Sequence, residues 1–204
     1  MTQIQDAPFG LVPKRHKSGA PYTGAGVPCY VGSGDGTALF IGDPVVLSGT
    51  GNTAEVKGMG MGTFAAGELP SVTKATAGSG NAIFGVVVGV VAETRDSTPY
   101  RAASTERILF VEPDPDLIYE VQADEAVAAT SIGLNANLVF TNSGSTITGL
   151  SGVELDASSA ATGATLQCKI LGLSRRRDNA INTAGNIFDV LINVHQNTQD
   201  QAGV

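Results

Sequence analysis

Ile187-Phe188-Asp189-Val190-Leu191-Ile192-Asn193-Val194-His195 is the stretch on which the fold turns. Successive side chains of a β-strand point to opposite faces, so Phe188, Val190, Ile192 and Val194 share one side. That set is purely apolar and is assigned to a core. Ile187, Asp189, Leu191, Asn193 and His195 take the other face. Residues 117–122 repeat the pattern, with Leu117, Tyr119 and Val121 on one face and Ile118, Glu120 and Gln122 on the other. Residues 83–91 are apolar on both faces and interrupted only by Gly85 and Gly89. Such a run is either a central strand buried on both sides or a strand lying under a subunit contact.

Further short strands are expected at residues 29–31, 38–41, 44–48, 54–57, 69–73, 108–111, 137–140, 146–150 and 165–173. Turns rich in Gly, Asp, Asn, Ser and Pro separate them at fairly even spacing, the signature of a sandwich or barrel. The expected fold class is therefore all-β, a sandwich or barrel. Helix signals are confined to residues 124–131, where Asp124 offers an N-cap, and 154–161, so at most one or two short helices are expected.

Residues 1–26 read differently. Pro8, Pro13 and Pro21, with Gly10, Gly19, Gly24 and Gly26, destroy any periodicity. Yet Phe9, Leu11, Val12 and Tyr22 are too apolar for a disordered tail. An extended N-terminal arm, lying across a partner or across the body of its own domain, accounts for both facts. Residues 27–204 are read as a single β domain.

Only 15% of residues are charged, against about 25% in a typical soluble domain. Gly, Ser, Thr, Ala and Asn must fill the exposed positions instead. This suits turn-rich sheets and a surface partly covered by partners, because few charges need desolvating on docking. The net charge of −7 and pI near 4.7 are the reverse of what phosphate binding requires, so no direct nucleic-acid contact is expected. Two local basic clusters stand out, Lys14-Arg15-His16-Lys17 and Arg175-Arg176-Arg177. Each reads as a solvated turn or as a contact for an acidic neighbour.

Cys29 and Cys168 are isolated in sequence and form neither a disulfide framework nor a zinc site; both are expected to be reduced and buried. No basic segment followed by an apolar stretch opens the chain, so a signal peptide is not expected. The longest apolar run, residues 83–92, is too short to span a bilayer. Synthesis in the cytoplasm and no membrane partner follow as expectations.

Catalytic chemistry is poorly represented. Of the two histidines, His16 lies in the basic arm and His195 ends the last strand, and neither has the context of a general base. Glu112-Pro113-Asp114-Pro115-Asp116 places three carboxylates two residues apart. It reads as a rigid, solvated corner, as a contact for a basic surface, or as a hard-cation site that lacks the Gly and distal Glu of an EF-hand. Gly32-Ser33-Gly34-Asp35-Gly36 lacks the Lys-Ser or Lys-Thr and the helix of a phosphate loop. The expectation is a non-enzyme with no catalytic residue, cofactor or metal.

The segments Pro8-Phe9-Gly10-Leu11, Gly19-Ala20-Pro21-Tyr22, Phe40-Ile41-Gly42-Asp43-Pro44-Val45 and residues 100–107 are similar to those of small virion proteins of tailed bacteriophages. So are residues 114–122, 149–155 and the closing stretch from Ile170 to Asn179. The chain thus resembles, over nearly its whole length, the head decoration or cement proteins that stabilise capsids. The resemblance implies a jelly-roll-like sandwich or barrel with an extended N-terminal arm, on the outer surface of the virion, made in the host cytoplasm, often dimeric or trimeric, and bridging neighbouring major capsid protein subunits. Phe9, Leu11, Lys14, Arg15 and Tyr22 of the arm, with Arg175, Arg176 and Arg177, are the expected partner-binding residues. A tail or fibre component is the alternative within the same class. A glycan-binding or hydrolytic β domain using the 112–116 corner is the alternative outside it.

Overall fold

The structure, a computed structural model, describes residues 5–24 and 26–198. These form strands β1 (Val12–His16), β2 (Val27–Val31), β3 (Pro44–Gly51), β4 (Val56–Gly58), β5 (Gly62–Phe64), β6 (Pro70–Lys74), β7 (Gly85–Val90), β8 (Arg107–Glu112), β9 (Leu117–Gln122), β10 (Asn135–Ala136), β11 (Leu138–Val139), β12 (Glu154–Leu155), β13 (Cys168–Leu173) and β14 (Ile187–Ile192). The fold is all-β, as the alternation requires. The barrel form is realised alongside an open sheet. Strands β2-β6-β3-β7-β8 close into a small barrel, and β1-β9-β14-β13-β10 form a five-stranded sheet beside it.

The barrel closes because β8 returns antiparallel to β2, pairing Val27 with Val111 through Val31 with Arg107. Cys29, Val31, Val45, Val72, Val87, Leu109 and Val111 fill its interior. The sheet packs its apolar side, including Leu117, Tyr119, Val121, Ile170, Phe188, Val190 and Ile192, into a second core. Tyr119 and Phe188 are fully buried; burying a large apolar side chain stabilises by roughly 1.5–3 kcal/mol.

The doubly apolar run at 83–91 is the wall between these cores. Val86 packs with the sheet core and Val87 with the barrel core, and neither is exposed. The central-strand reading is realised over Gly85, Val86 and Val87, whereas Val88 to Val90 are half-buried. Gly85 is required there by contact, since a Cβ at this position would stand 2.4 Å from the Glu112 carbonyl oxygen. Cys29 and Cys168 sit in different cores, both free and buried, and burial pushes each thiol up to about 12.

The expected short helices shrink to single 3-10 turns, Ala129–Ser131 and Ala157–Ser159. Asp156 caps the second through the Ser159 amide, but no apolar stripe extends either turn against a core. In place of the expected strand at 146–150, residues 146–148 form a turn, with Ile147 89% exposed, and Leu150 makes a single bridge to Ile41. Residues 59–61 form the turn joining β4 to β5, and Met59 is exposed. At the C-terminal side β14 stops at Ile192, so the outward position expected for His195 is not kept. The chain bends back, His195 bridges Ile83 and becomes fully buried.

Of the two placements open to the arm, the described residues take the second. Val12–His16 pairs antiparallel with β9 as an edge strand of the chain's own sheet, a position where Pro13 is tolerated. Just before it, the chain crosses the barrel at Gly42. A Cβ on Gly10 would stand 2.5 Å from the Gly42 carbonyl oxygen, and Gly10 has φ +73°. The Leu11 amide donates to that same oxygen at 3.0 Å.

Candidate functional site

The outer face of the five-stranded sheet carries a problem that the N-terminal segment solves. Glu120 of β9 and Asp189 of β14 are direct cross-strand partners. Like charges placed so are destabilising, and each side chain is only 13% exposed. A register shift between Pro13 and Arg15 makes Lys14 the extra residue of a bulge, and bulges re-aim side chains. Lys14 Nζ consequently lies 2.9 Å from Glu120 Oε1 and 2.9 Å from Asp189 Oδ1. It also donates to Ser174 Oγ at 3.1 Å.

The arginine loop closes the cluster from the other end. Arg176 Nη2 lies 2.6 Å from Glu120 Oε2, and its guanidinium stacks over the Phe9 ring at 5.4 Å. Ser174 Oγ donates to Glu120 Oε1. Arg15 approaches Asp189 Oδ2 at 3.8 Å. Burial alone would raise the Glu120 carboxyl, but hydrogen bonds from Ser174, Arg176 and Lys14 outweigh it and hold the group at about 2.

The structure thus brings five of the eight expected partner-binding residues toward one face: Phe9, Lys14, Arg15, Arg175 and Arg176. Four of these are engaged within the chain: Phe9, Lys14 and Arg176 closely, and Arg15 loosely through Asp189. Arg175 and Arg177 are exposed and form no salt bridge among the described residues. Leu11 departs from the expected role: it is 1% exposed and belongs to the core, so it holds the arm rather than a partner. Tyr22 also leans on that core, half-buried. Its hydroxyl is buried without a hydrogen-bond partner among the described residues. It lines a separate apolar cleft of about 330 Å³ with Val12, Val88 and Phe110.

Glu120, Asp189 and Ser174 were not singled out by sequence reasoning. Alternation separates Glu120 from the Leu117, Tyr119 and Val121 face and Asp189 from the apolar face of the last strand. Their adjacency needed the β9–β14 register, which the sequence does not display.

The rest of the basic arm meets the acidic corner. His16 Nδ1 lies 2.8 Å from Asp114 Oδ2, and Lys17 lies 3.4 Å from Asp116. The Lys17 amide also donates to the Asp116 carbonyl at 2.7 Å. Glu112 accepts from the Asp114 amide at 3.1 Å. Half of the basic arm, His16 and Lys17, is therefore partnered by Asp114 and Asp116 of the acidic corner. Among the described residues no group of three His, Cys, Asp or Glu side chains is placed to hold a metal ion, and no helix is long and apolar enough to cross a membrane.

Between Lys14 and Arg15 on one side and Leu171 and Arg175 on the other lies an open groove of about 520 Å³, with Gly172 and Asp189 between them. No family model matches the chain, and neither the curated proteins nor the solved structures give a significant match.

Proposed function

We propose that this protein is a virion structural protein that decorates and cements the capsid of a tailed phage, bridging neighbouring major capsid protein subunits as a homo-oligomer on the outer surface. The resemblance across the chain supplies this reading. The observation that carries it physically is the gathering of Lys14, Arg15, Arg175 and Arg176 around one sheet face of a chain whose net charge is −7. A local cationic face on an acidic, charge-poor protein suits docking on an acidic protein surface better than wrapping nucleic acid. Many copies of a modest contact strengthen one another once each unit touches several capsid subunits.

The arm contributes twice in this reading. It builds the docking face by pinning Glu120 and Asp189 through Lys14. It also places Arg15 on that face. Mixing the purified protein with capsids assembled without it, followed by co-sedimentation, tests the proposal. Saturable binding at a fixed number of copies per capsid is expected. A protein that stays in the supernatant at low and physiological salt contradicts it.

A further inference from the structure

The cationic cluster and the groove beside it are not equivalent. Lys14 and Arg176 are committed to Glu120 and Asp189, whereas Arg175 is exposed without an ion pair among the described residues. Arg15 is held only loosely, at 3.8 Å from Asp189. Leu171, the extra residue of a second bulge between Ile170 and Gly172, is 38% exposed. Gly172 stands opposite Asp189 in the β13–β14 ladder, and a Cβ built on it meets nothing within 4 Å. The sheet face is therefore open at Gly172, with an apolar side chain beside it and cations at both margins.

We infer that this groove receives an extended acidic segment of the capsid protein, with a bulky apolar side chain seated over Gly172 beside Leu171 and carboxylates meeting Arg15 and Arg175. The inference rests on the capsid-docking reading for the identity of the partner, and goes beyond it in fixing where and by what chemistry contact is made. Three cations, Lys14, Arg15 and Arg175, face one carboxylate, Asp189, so the groove carries a surplus of positive charge. An acidic strand gains from both its charge and its apolar side chain there. A single-stranded nucleic acid would find no aromatic side chain lining the groove on which to stack its bases.

Gly172 supplies the test, because a Cβ placed there meets none of the chain's own atoms within 4 Å. Gly172→Phe is compared with Gly172→Ala and wild type for occupancy of capsids assembled without the protein, with circular dichroism and Tm measured in parallel. Wild type and Gly172→Ala are expected to occupy the capsids alike. Gly172→Phe is expected to lose affinity by roughly tenfold or more, at unchanged Tm. Arg175→Glu, an exposed change independent of the sheet, is expected to weaken binding in the same direction. A soluble peptide of alternating glutamate and leucine should compete for the groove, and a short single-stranded DNA should not.

Full occupancy by both Gly172→Phe and Arg175→Glu overturns the groove while leaving capsid docking intact. Failure of wild type to bind removes the docking reading itself. Competition by the DNA in place of the peptide overturns the choice of occupant.

Discussion

Lys14 Nζ stands 2.9 Å from Asp189 Oδ1 across the full width of the intervening strand β9. The contact spans 175 residues of sequence and joins the N-terminal segment to the last strand. Removing it leaves Glu120 and Asp189 facing each other with little solvent. Lys14→Met is expected to destabilise the protein by about 1–3 kcal/mol, because Asp189 then keeps only the more distant Arg15 beside the like charge of Glu120. Urea unfolding at neutral pH checks this, and a change indistinguishable from zero would count against the pinning role.

The arm is structural before it is adhesive. Leu11 is buried in the sheet core, and Leu11→Ala is expected to cost roughly 2–5 kcal/mol. Deleting residues 1–26 removes that side chain and the whole of β1. The truncated chain should therefore show a lowered Tm and faster amide exchange along β9, where β1 pairs. A deletion that leaves Tm unchanged would contradict this assignment.

Low pH should act first through His195. Burial lowers its pKa to about 4, although the Asp114 charge pulls the other way. A histidine kept neutral by folding contributes fully above its unfolded value near 6.5. That contribution is lost as pH falls from about 6.5 to about 4, and amounts to roughly 3 kcal/mol. Glu120, depressed to about 2, adds a second loss as pH falls from its unfolded value near 4.3 toward 2. Urea midpoints of wild type and His195→Gln, compared at pH 7 and pH 4.5, isolate the histidine. The wild type should lose more stability over that interval. Equal losses would exclude His195 as the acid-sensitive group.

The three adjacent arginines should separate cleanly. Arg176→Ala breaks the Glu120 pair and the stack on Phe9, and is expected to lower stability by about 1 kcal/mol. Arg175→Glu combined with Arg177→Glu should leave Tm unchanged and weaken capsid binding in a salt-dependent way. Binding that ignores both charge and salt would contradict the cationic-face account.

Much of the fold was legible in the sequence because alternation reports burial directly. Phe188, Val190 and Ile192 face a core as their spacing requires, and Gly85 and Gly89 mark a strand with neighbours on both sides. The arm's pairing was hidden by Pro13 and the bulge at Lys14, which break the period of two that identifies a strand. His195 was misplaced because nothing local signals that β14 ends at Ile192 and the chain turns inward. For the docking face, the basic residues were visible as clusters. Their acidic partners, scattered singly at positions 120 and 189, became adjacent only through the strand order β1-β9-β14.

Cryo-EM of the native virion tests whether this chain clamps a phage shell from outside. Ordered copies of this all-β chain are expected on the outer capsid surface, spanning adjacent capsid subunits, with the Lys14–Arg175 face turned toward them. Density for the chain in the tail or a fibre, inside the shell, or nowhere in the particle would contradict this role.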